Sequence, residues 1–347
     1  MSAVTFVPGV ELNRRFYSEV VAPLLAPLTH SAGLLGGGSD VLGFDDSRST
    51  DHGWGPRLLV LVDSGDAATA KALIDDGLPE QFDGLSVRFG WDETPVQHHV
   101  TVTALGPWLE GWLGHDARRS MTLLDWLLTP QQQLLGVVGG ALYHDGLGEV
   151  APLRAQLRWF PDEVWHWMLA CQWRRIEQEE AFVGRAAEVG DDLGSRLVAA
   201  RICRELMRLH FLLAGRYWPY MKWFGTAYRS VPHSDELAPR FAAAIAAGDI
   251  AAREAALVAA YETVARLHNE AGVTAPVDPS VRNFHGRPFK VLHSERFVGA
   301  CLAVVHDEWL LSLPPVGSID QFADSTDVLS HAERARRLRD LYGDSTP

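Results

Sequence analysis

Cysteine is nearly absent from this sequence of 347 residues: Cys171, Cys203 and Cys301 lie far apart and form no CxxC pair. Such spacing argues against a disulfide framework and against a cysteine-rich zinc site, and it fits a reducing cytoplasm. Lysine is equally scarce, with only Lys71, Lys222 and Lys290. Positive charge as a whole is outnumbered, 31 Lys plus Arg against 44 Asp plus Glu, for a formal net charge of −13. An acidic balance of this size argues against binding duplex nucleic acid or an anionic membrane through a generally basic surface. No uncharged apolar run approaches the ~18 residues of a membrane-spanning helix. The N-terminus lacks the basic start, apolar stretch and small-residue cleavage site of a secretory signal. A soluble cytoplasmic protein is the expectation, and the sequence carries no signal for its oligomeric state.

What is present is enough apolar residue, 47% against 22% charged, to bury a sizeable core as one large domain or two ordinary ones. Residues 11–30 carry Phe16, Val20, Val21, Leu24 and Leu25 at helical spacing. The glycine-rich turn Gly36-Gly37-Gly38-Ser39 comes next. Arg57–Val62 is a short apolar run bounded by Gly-Pro and Asp-Ser-Gly, the pattern of a buried strand. Residues 66–77 read as a helix, and Leu85–Phe89 and His99–Leu105 as strands. Beyond residue 120 the pattern changes to long amphipathic helices at 163–188, 194–216, 235–246 and 250–271, with two more around 294–313 and 329–342. There is no internal repeat. The predicted fold class is α+β: a mixed sheet with helices over residues 1–120, followed by a mostly helical domain over 121–347.

The stretch from Gly36 to Val62 is the one that points to chemistry. A Gly-Ser turn offers backbone N–H groups and a hydroxyl to a phosphate, because glycine admits close backbone approach and positive φ. A carboxylate, Asp51, follows twelve positions after Ser39, at the expected start of the next strand. This spacing resembles the nucleotidyltransferase superfamily with the polymerase-β-like fold. The string GSDVLGFDDSRSTDHGWGPRL, the segments LRWFPDEVWHWMLACQWRRIEQEE, FVGR and RYWPYMKW, and the tail elements RPFKVLHSERF and GSIDQFADSTDVL together resemble a bacterial domain-of-unknown-function family, DUF4037, placed among nucleotidyltransferase-like proteins.

The resemblance implies that Gly38 and Ser39 hold nucleotide phosphates and that Asp51 holds catalytic magnesium or manganese. Phosphoryl chemistry gains mainly from positioning and from cations that neutralise developing charge, and magnesium takes oxygen ligands. The superfamily pattern asks for a second carboxylate two positions on, but Gly53 stands there. His52, between them, would face the opposite side of the strand and pack beneath the sheet. A later strand carboxylate is also missing from His98–Leu105. Asp40 is the first candidate to complete the metal site, its alternative being a helix cap. Asp145, in the turn Tyr143–Gly148, is the second, its alternative being a structural pair with Arg154. Asp45, Asp46 and Asp63 are weaker choices. At most one of the adjacent pair His98 and His99 can join a given site, since neighbours on a strand face opposite ways.

In the helical half, Tyr217-Trp218-Pro219-Tyr220-Met221-Lys222-Trp223 combines aromatics with a lysine. Tyr217 and Tyr220 could stack on a base while Lys222 meets phosphate; alternatively the tryptophans are core and Lys222 reaches to water. The charge-rich run from Arg174 to Arg185, Glu180 included, reads as a solvated, ion-paired helix face. Asp320 and Asp324 read as caps and loop solvation. The leading functional expectation is an enzyme moving a nucleoside monophosphate from an NTP, such as ATP, to a small-molecule acceptor. The alternatives are a degenerate module that binds a nucleotide or other ligand without turnover, favoured by Gly53, and an unrelated small-molecule reaction in the same cleft.

Overall fold

The computed structural model describes residues 6–343. It divides into two compact units. The first holds the described residues up to Met121 together with Thr129–Arg158 and Ser330–Arg336; the second holds Thr122–Leu128, Trp159–Leu329 and the described residues from Arg337. Two segments beyond the expected boundary at residue 120 therefore pack with the first unit.

The first unit is built on a mixed five-stranded sheet. Its strands are β1 (His30–Leu34), β2 (Arg57–Val62), β3 (Arg88–Trp91), β4 (Thr94–Thr103) and β5 (Ala141–Asp145), in the spatial order β3-β4-β2-β1-β5. β2 and β4 run parallel, with Arg57 opposite His99 and Leu59 opposite Thr101; the other neighbours are antiparallel. Because side chains alternate along a strand, Leu58, Val60, Val62 and Val100 point to one face, where they form a core with Leu12, Phe16, Val21, Leu25, Ala70 and Ile74. Arg57, Leu59, His99 and Thr101 point to the other.

The region predicted as one helix over 11–30 is instead a helix over Gly9–Phe16, a π-helical turn over Tyr17–Val21, one further turn over Ala22–Leu24, and then strand β1. Pro23, with no amide to donate, sits within the last turn, and Pro27 follows it where the helix has ended. β1 itself, His-Ser-Ala-Gly-Leu, is buried at every position. The loop that follows it is pinned to the first helix. Asp45 accepts from the Gly9 amide at 2.6 Å and from the Trp54 indole at 2.9 Å. The buried Asn13 donates to Gly9 and Gly55 carbonyls and accepts from the Arg57 amide at 2.7 Å, which fixes where β2 begins.

The second unit is helical. Its main helices, Asp162–Glu179, Asp192–Leu213, Ser234–Ala246, Ile250–Ala271 and Glu295–Leu302, surround the fully buried Trp167, Trp173, Phe211, Tyr261 and Phe297. Helix starts are set locally: the Asp191 and Asp249 carboxylates accept from the amides of Gly194 and Ala252. The helix predicted over 163–188 is broken after Glu179 and resumes as Phe182–Glu188. No helix among the described residues is long and apolar enough to cross a membrane.

Candidate functional site

The Gly36–Ser39 turn follows strand β1 and not a helix, and no α-helix follows it before β2. Gly38 sits at φ +135°, where an L side chain is strained, and a Cβ there would collide with both the Asp40 carboxylate and the Arg57 guanidinium. Among the described residues, the amides of Gly37, Gly38 and Ser39 and the Ser39 hydroxyl donate to no protein acceptor. These are four adjacent donors on one turn.

Asp40, directly after the turn, caps no helix. It is 2% exposed and grips Arg57, whose Nε donates to Oδ2 at 2.9 Å and whose Nη2 donates to Oδ1 at 2.5 Å. The Val41 amide also donates to Oδ1 at 3.0 Å, and Arg57 Nη2 donates to the Gly37 carbonyl at 2.8 Å. One guanidinium thus ties the turn, the buried carboxylate and the first residue of β2 together.

Asp51 does not stand at the start of β2. It ends a 3₁₀ turn, Ser49–Asp51, and is exposed; Gly53 at φ +63°, Trp54, Gly55 and Pro56 separate it from the strand. The alternation argument for a carboxylate pair therefore does not apply here, and the vacant Cβ position of Gly53 faces the Trp91 ring at 3.5 Å. For the same reason His52 does not pack beneath the sheet: it is exposed and meets Asp92 at 3.1 Å. Asp145 ends strand β5. Its carboxylate accepts from the Ser31 hydroxyl at 2.7 Å and from the amides of Ala151 at 2.9 Å and Val150 at 3.4 Å. Burial pushes its pKa up, but the Ala151 amide, the Ser31 hydroxyl and the other amide donors outweigh burial and hold the carboxyl below its ordinary value. Arg154 does not pair with it but donates to the carbonyls of Val138 and Gly139.

A magnesium site needs several free oxygen ligands converging on one point. Asp40 is committed to Arg57, Asp145 to a helix start, and no group of three or more His, Cys, Asp or Glu side chains among the described residues is arranged to hold a metal ion. The expected ligand set does not fit such a site in this arrangement.

The outward face of the sheet bears a cleft of about 150 Å³ lined by Leu34, Leu35, Arg57, Trp91, His99, Thr101 and Trp108, among others. His99 packs against Phe89 and Trp91 at ring separations of 4.3 and 4.8 Å, and one ring nitrogen, Nε2, meets the Phe89 carbonyl at 2.8 Å. Burial holds its pKa below the usual histidine value. His98 faces the opposite side and pairs with Asp75 at 2.8 Å. Period-two alternation separates the two histidines as the sequence predicts. Reading the sequence alone missed the part played by Arg57 and Trp108; the only local signal was an arginine opening an otherwise apolar strand.

Lys222, Tyr217 and Tyr220 belong to the second unit, whereas every residue lining the cleft belongs to the first. Tyr217 is buried against Trp159 and Phe160, and burial raises its pKa. Tyr220 is partly exposed and accepts from the Trp223 indole at 2.8 Å; Lys222 Nζ lies 5.0 Å from the Trp223 ring centre. Glu180 is not part of a solvated face. Its carboxylate is buried and accepts from the Leu292 and Ser294 amides and the Ser294 hydroxyl. Asp324 is ion-paired with Arg204 and Arg208.

Residues 126–224 match the family described as "Domain of unknown function (DUF4037)". That segment contains the tryptophan-rich helix Asp162–Glu179 and the aromatic cluster at 217–223, and it leaves out the glycine turn. Among solved structures the chain is similar to a nucleotidyltransferase-like protein from Exiguobacterium sibiricum 255-15, with 14% identity and a TM-score of 0.34 over 80% of this chain and 82% of that one. No curated protein matches the chain.

Proposed function

We propose that the first unit is a nucleotide-binding module that holds a phosphate group at the Gly37–Ser39 turn and a planar ring in the cleft, without turning it over. The observation that carries this reading is the set of four unused donors on the turn. Backbone amides at a glycine turn form a preorganised anion cradle. Trp91 and Trp108 give the cleft aromatic surface for a base to stack on. The engagement of Asp40 and Asp145 in structural contacts supports binding over turnover, because loss of metal carboxylates affects the transition state far more than ground-state binding.

The transferase reading, in which a nucleoside monophosphate passes from an NTP to a small-molecule acceptor, keeps one observation in its favour. The exposed Asp51 carboxylate has no hydrogen bond or ion pair among the described residues. One experiment separates the two. Calorimetric titration with ATP and AMP is run on the wild type and on Thr101→Trp, which fills the cleft from an exposed position, alongside an assay for pyrophosphate release. Binding lost in the variant with no pyrophosphate released is the expected result. Release of pyrophosphate that Asp51→Asn abolishes establishes the transferase, and no binding to wild type overturns both readings.

A further inference from the structure

The misfit between the carboxylates and a magnesium site has a counterpart in how Arg57 is held. Three of its hydrogen bonds, two to Asp40 and one to the Gly37 carbonyl, use Nε and Nη2 only. Among the described residues Nη1 has no acceptor, and Arg57 lines the cleft. The guanidinium is therefore held through Nε and Nη2 and keeps only its two Nη1 hydrogens unused, next to the turn whose amides are unused. We infer that the cleft holds its phosphate by hydrogen bonds from the Arg57 Nη1 group and the turn amides in place of a divalent cation, and that its ligand class is a nucleoside monophosphate, not a triphosphate. This rests on the phosphate reading of the turn given above.

Three features support the inference. A metal on Asp40 would have to displace an arginine from both carboxylate oxygens. It would do so at a residue 2% exposed, where even the Cβ that Gly38 lacks would collide with Oδ1. Magnesium dehydrates reluctantly and keeps several waters, which such a place does not admit. A guanidinium is permanently protonated and weakly hydrated, so the Nη1 hydrogens of an anchored arginine remain charge-assisted donors to a phosphate oxygen. The third feature is the charge balance. Asp40 and Arg57 cancel, His99 is held toward its neutral form, and the remaining lining residues are uncharged. A triphosphate would bring several negative charges into surroundings with no net positive charge to receive them. One phosphate is served by the two Nη1 hydrogens and the turn amides.

The test is calorimetric titration of AMP and ATP into the whole chain, once with EDTA and once with excess magnesium. AMP affinity is expected to change by less than about twofold between the two conditions, and ATP to bind no more tightly than AMP. Asp40→Asn gives an opposite-sign check. As the counter-charge of Arg57, its removal releases positive charge and affinity for AMP holds or rises; as a metal ligand, its removal lowers affinity by about tenfold or more. Arg57→Gln is expected to weaken AMP binding at least about tenfold. If that variant does not fold, the double variant Asp40→Asn/Arg57→Gln, which leaves a neutral pair, takes its place. AMP binding that requires magnesium, weakened binding in folded Asp40→Asn, or undiminished binding without the arginine each overturns the inference while leaving the phosphate reading standing. No binding of either nucleotide in either condition overturns both.

Discussion

The carboxylate of Glu180 accepts two hydrogen bonds from Ser294, one from its amide at 3.0 Å and one from its hydroxyl at 3.1 Å, across 114 residues of sequence. With the Leu292 amide on the same side chain, this contact latches the segment after the Lys290–Val291 strand onto the end of the helix Asp162–Glu179. Glu180 closes a helix that ends without a glycine, and its burial explains why the charge pattern around it misleads.

Burial raises the pKa of Glu180 to about 7, against the pull of the Ser294 and Leu292 donors. A carboxyl whose folded pKa lies above its unfolded value contributes stability that is complete below the unfolded value and is lost as pH rises to the folded one. The window here is pH 4.5 to 7, and the full effect is about 3 kcal/mol. His210 and His268, both held to about 4 by burial, act in the opposite sense, since stability falls as they are forced to charge below pH 6.5. Denaturant midpoints of wild type and Glu180→Gln across pH 4.5–7.5 isolate the first contribution: the difference between them should change steadily up to pH 7 and then level off. A constant difference would remove Glu180 as the titrating group.

Removing Arg57 leaves Asp40 charged, buried and unpaired. Arg57→Met should lower stability by about 3–5 kcal/mol, and Asp40→Asn/Arg57→Gln by clearly less, since no buried charge is stranded in the pair. Urea unfolding of the three proteins checks this. Equal losses for single and double variants would mean that the pair matters through packing and not through charge.

Trp173 is fully buried, stacks on Phe297 at 4.4 Å and donates through its indole to His268 Nδ1 at 3.2 Å. Trp173→Ala should cost about 3–5 kcal/mol through the cavity it leaves. Trp173→Phe keeps most of the volume but strands the imidazole acceptor, at about 1–3 kcal/mol. Thermal midpoints in that order test the two contributions.

All three cysteines are at most 1% exposed, and burial pushes Cys203 and Cys301 up to about 12 and Cys171 well above its ordinary value. Thiolate, not thiol, is the reactive species. Native protein should therefore give almost no reaction with an aromatic disulfide reagent at pH 8, and three equivalents once unfolded. Rapid reaction of one thiol in the native state would show that its segment opens locally.

Much of the fold is legible in the sequence where a pattern is local. Arg57–Val62 and the helix Ile250–Ala271 fall at the residues the periodicity indicates, because a bounded apolar run and a long amphipathic stripe each carry their own signal. β1 is not legible: although buried at every position, His-Ser-Ala-Gly-Leu neither alternates nor runs apolar as a doubly buried strand ordinarily does. The glycine turn stands out from composition alone, but its neighbours do not. Whether Asp40 is a ligand or a counter-charge depends on a partner 17 residues away on another element, and no spacing rule encodes that. Asp51 misleads for a related reason, since the strand it should open is started late by Asn13 and Asp45, which hold Arg57 and Trp54 from the other side of the loop.

The sheet order has a consequence for how the chain is made. β1, β2, β3 and β4 all emerge within the first 103 residues, yet the outer neighbour of β1 is β5, at 141–145. Until the ribosome has released residue 145, the most thoroughly buried strand of the unit is a bare edge, its amides and carbonyls open to any other extended chain. A nascent chain stalled before that point, or a fragment cut at residue 120, would carry this sticky margin. β1 gains its outer neighbour only after a stretch of the second unit, Thr122–Leu128, has already been synthesised.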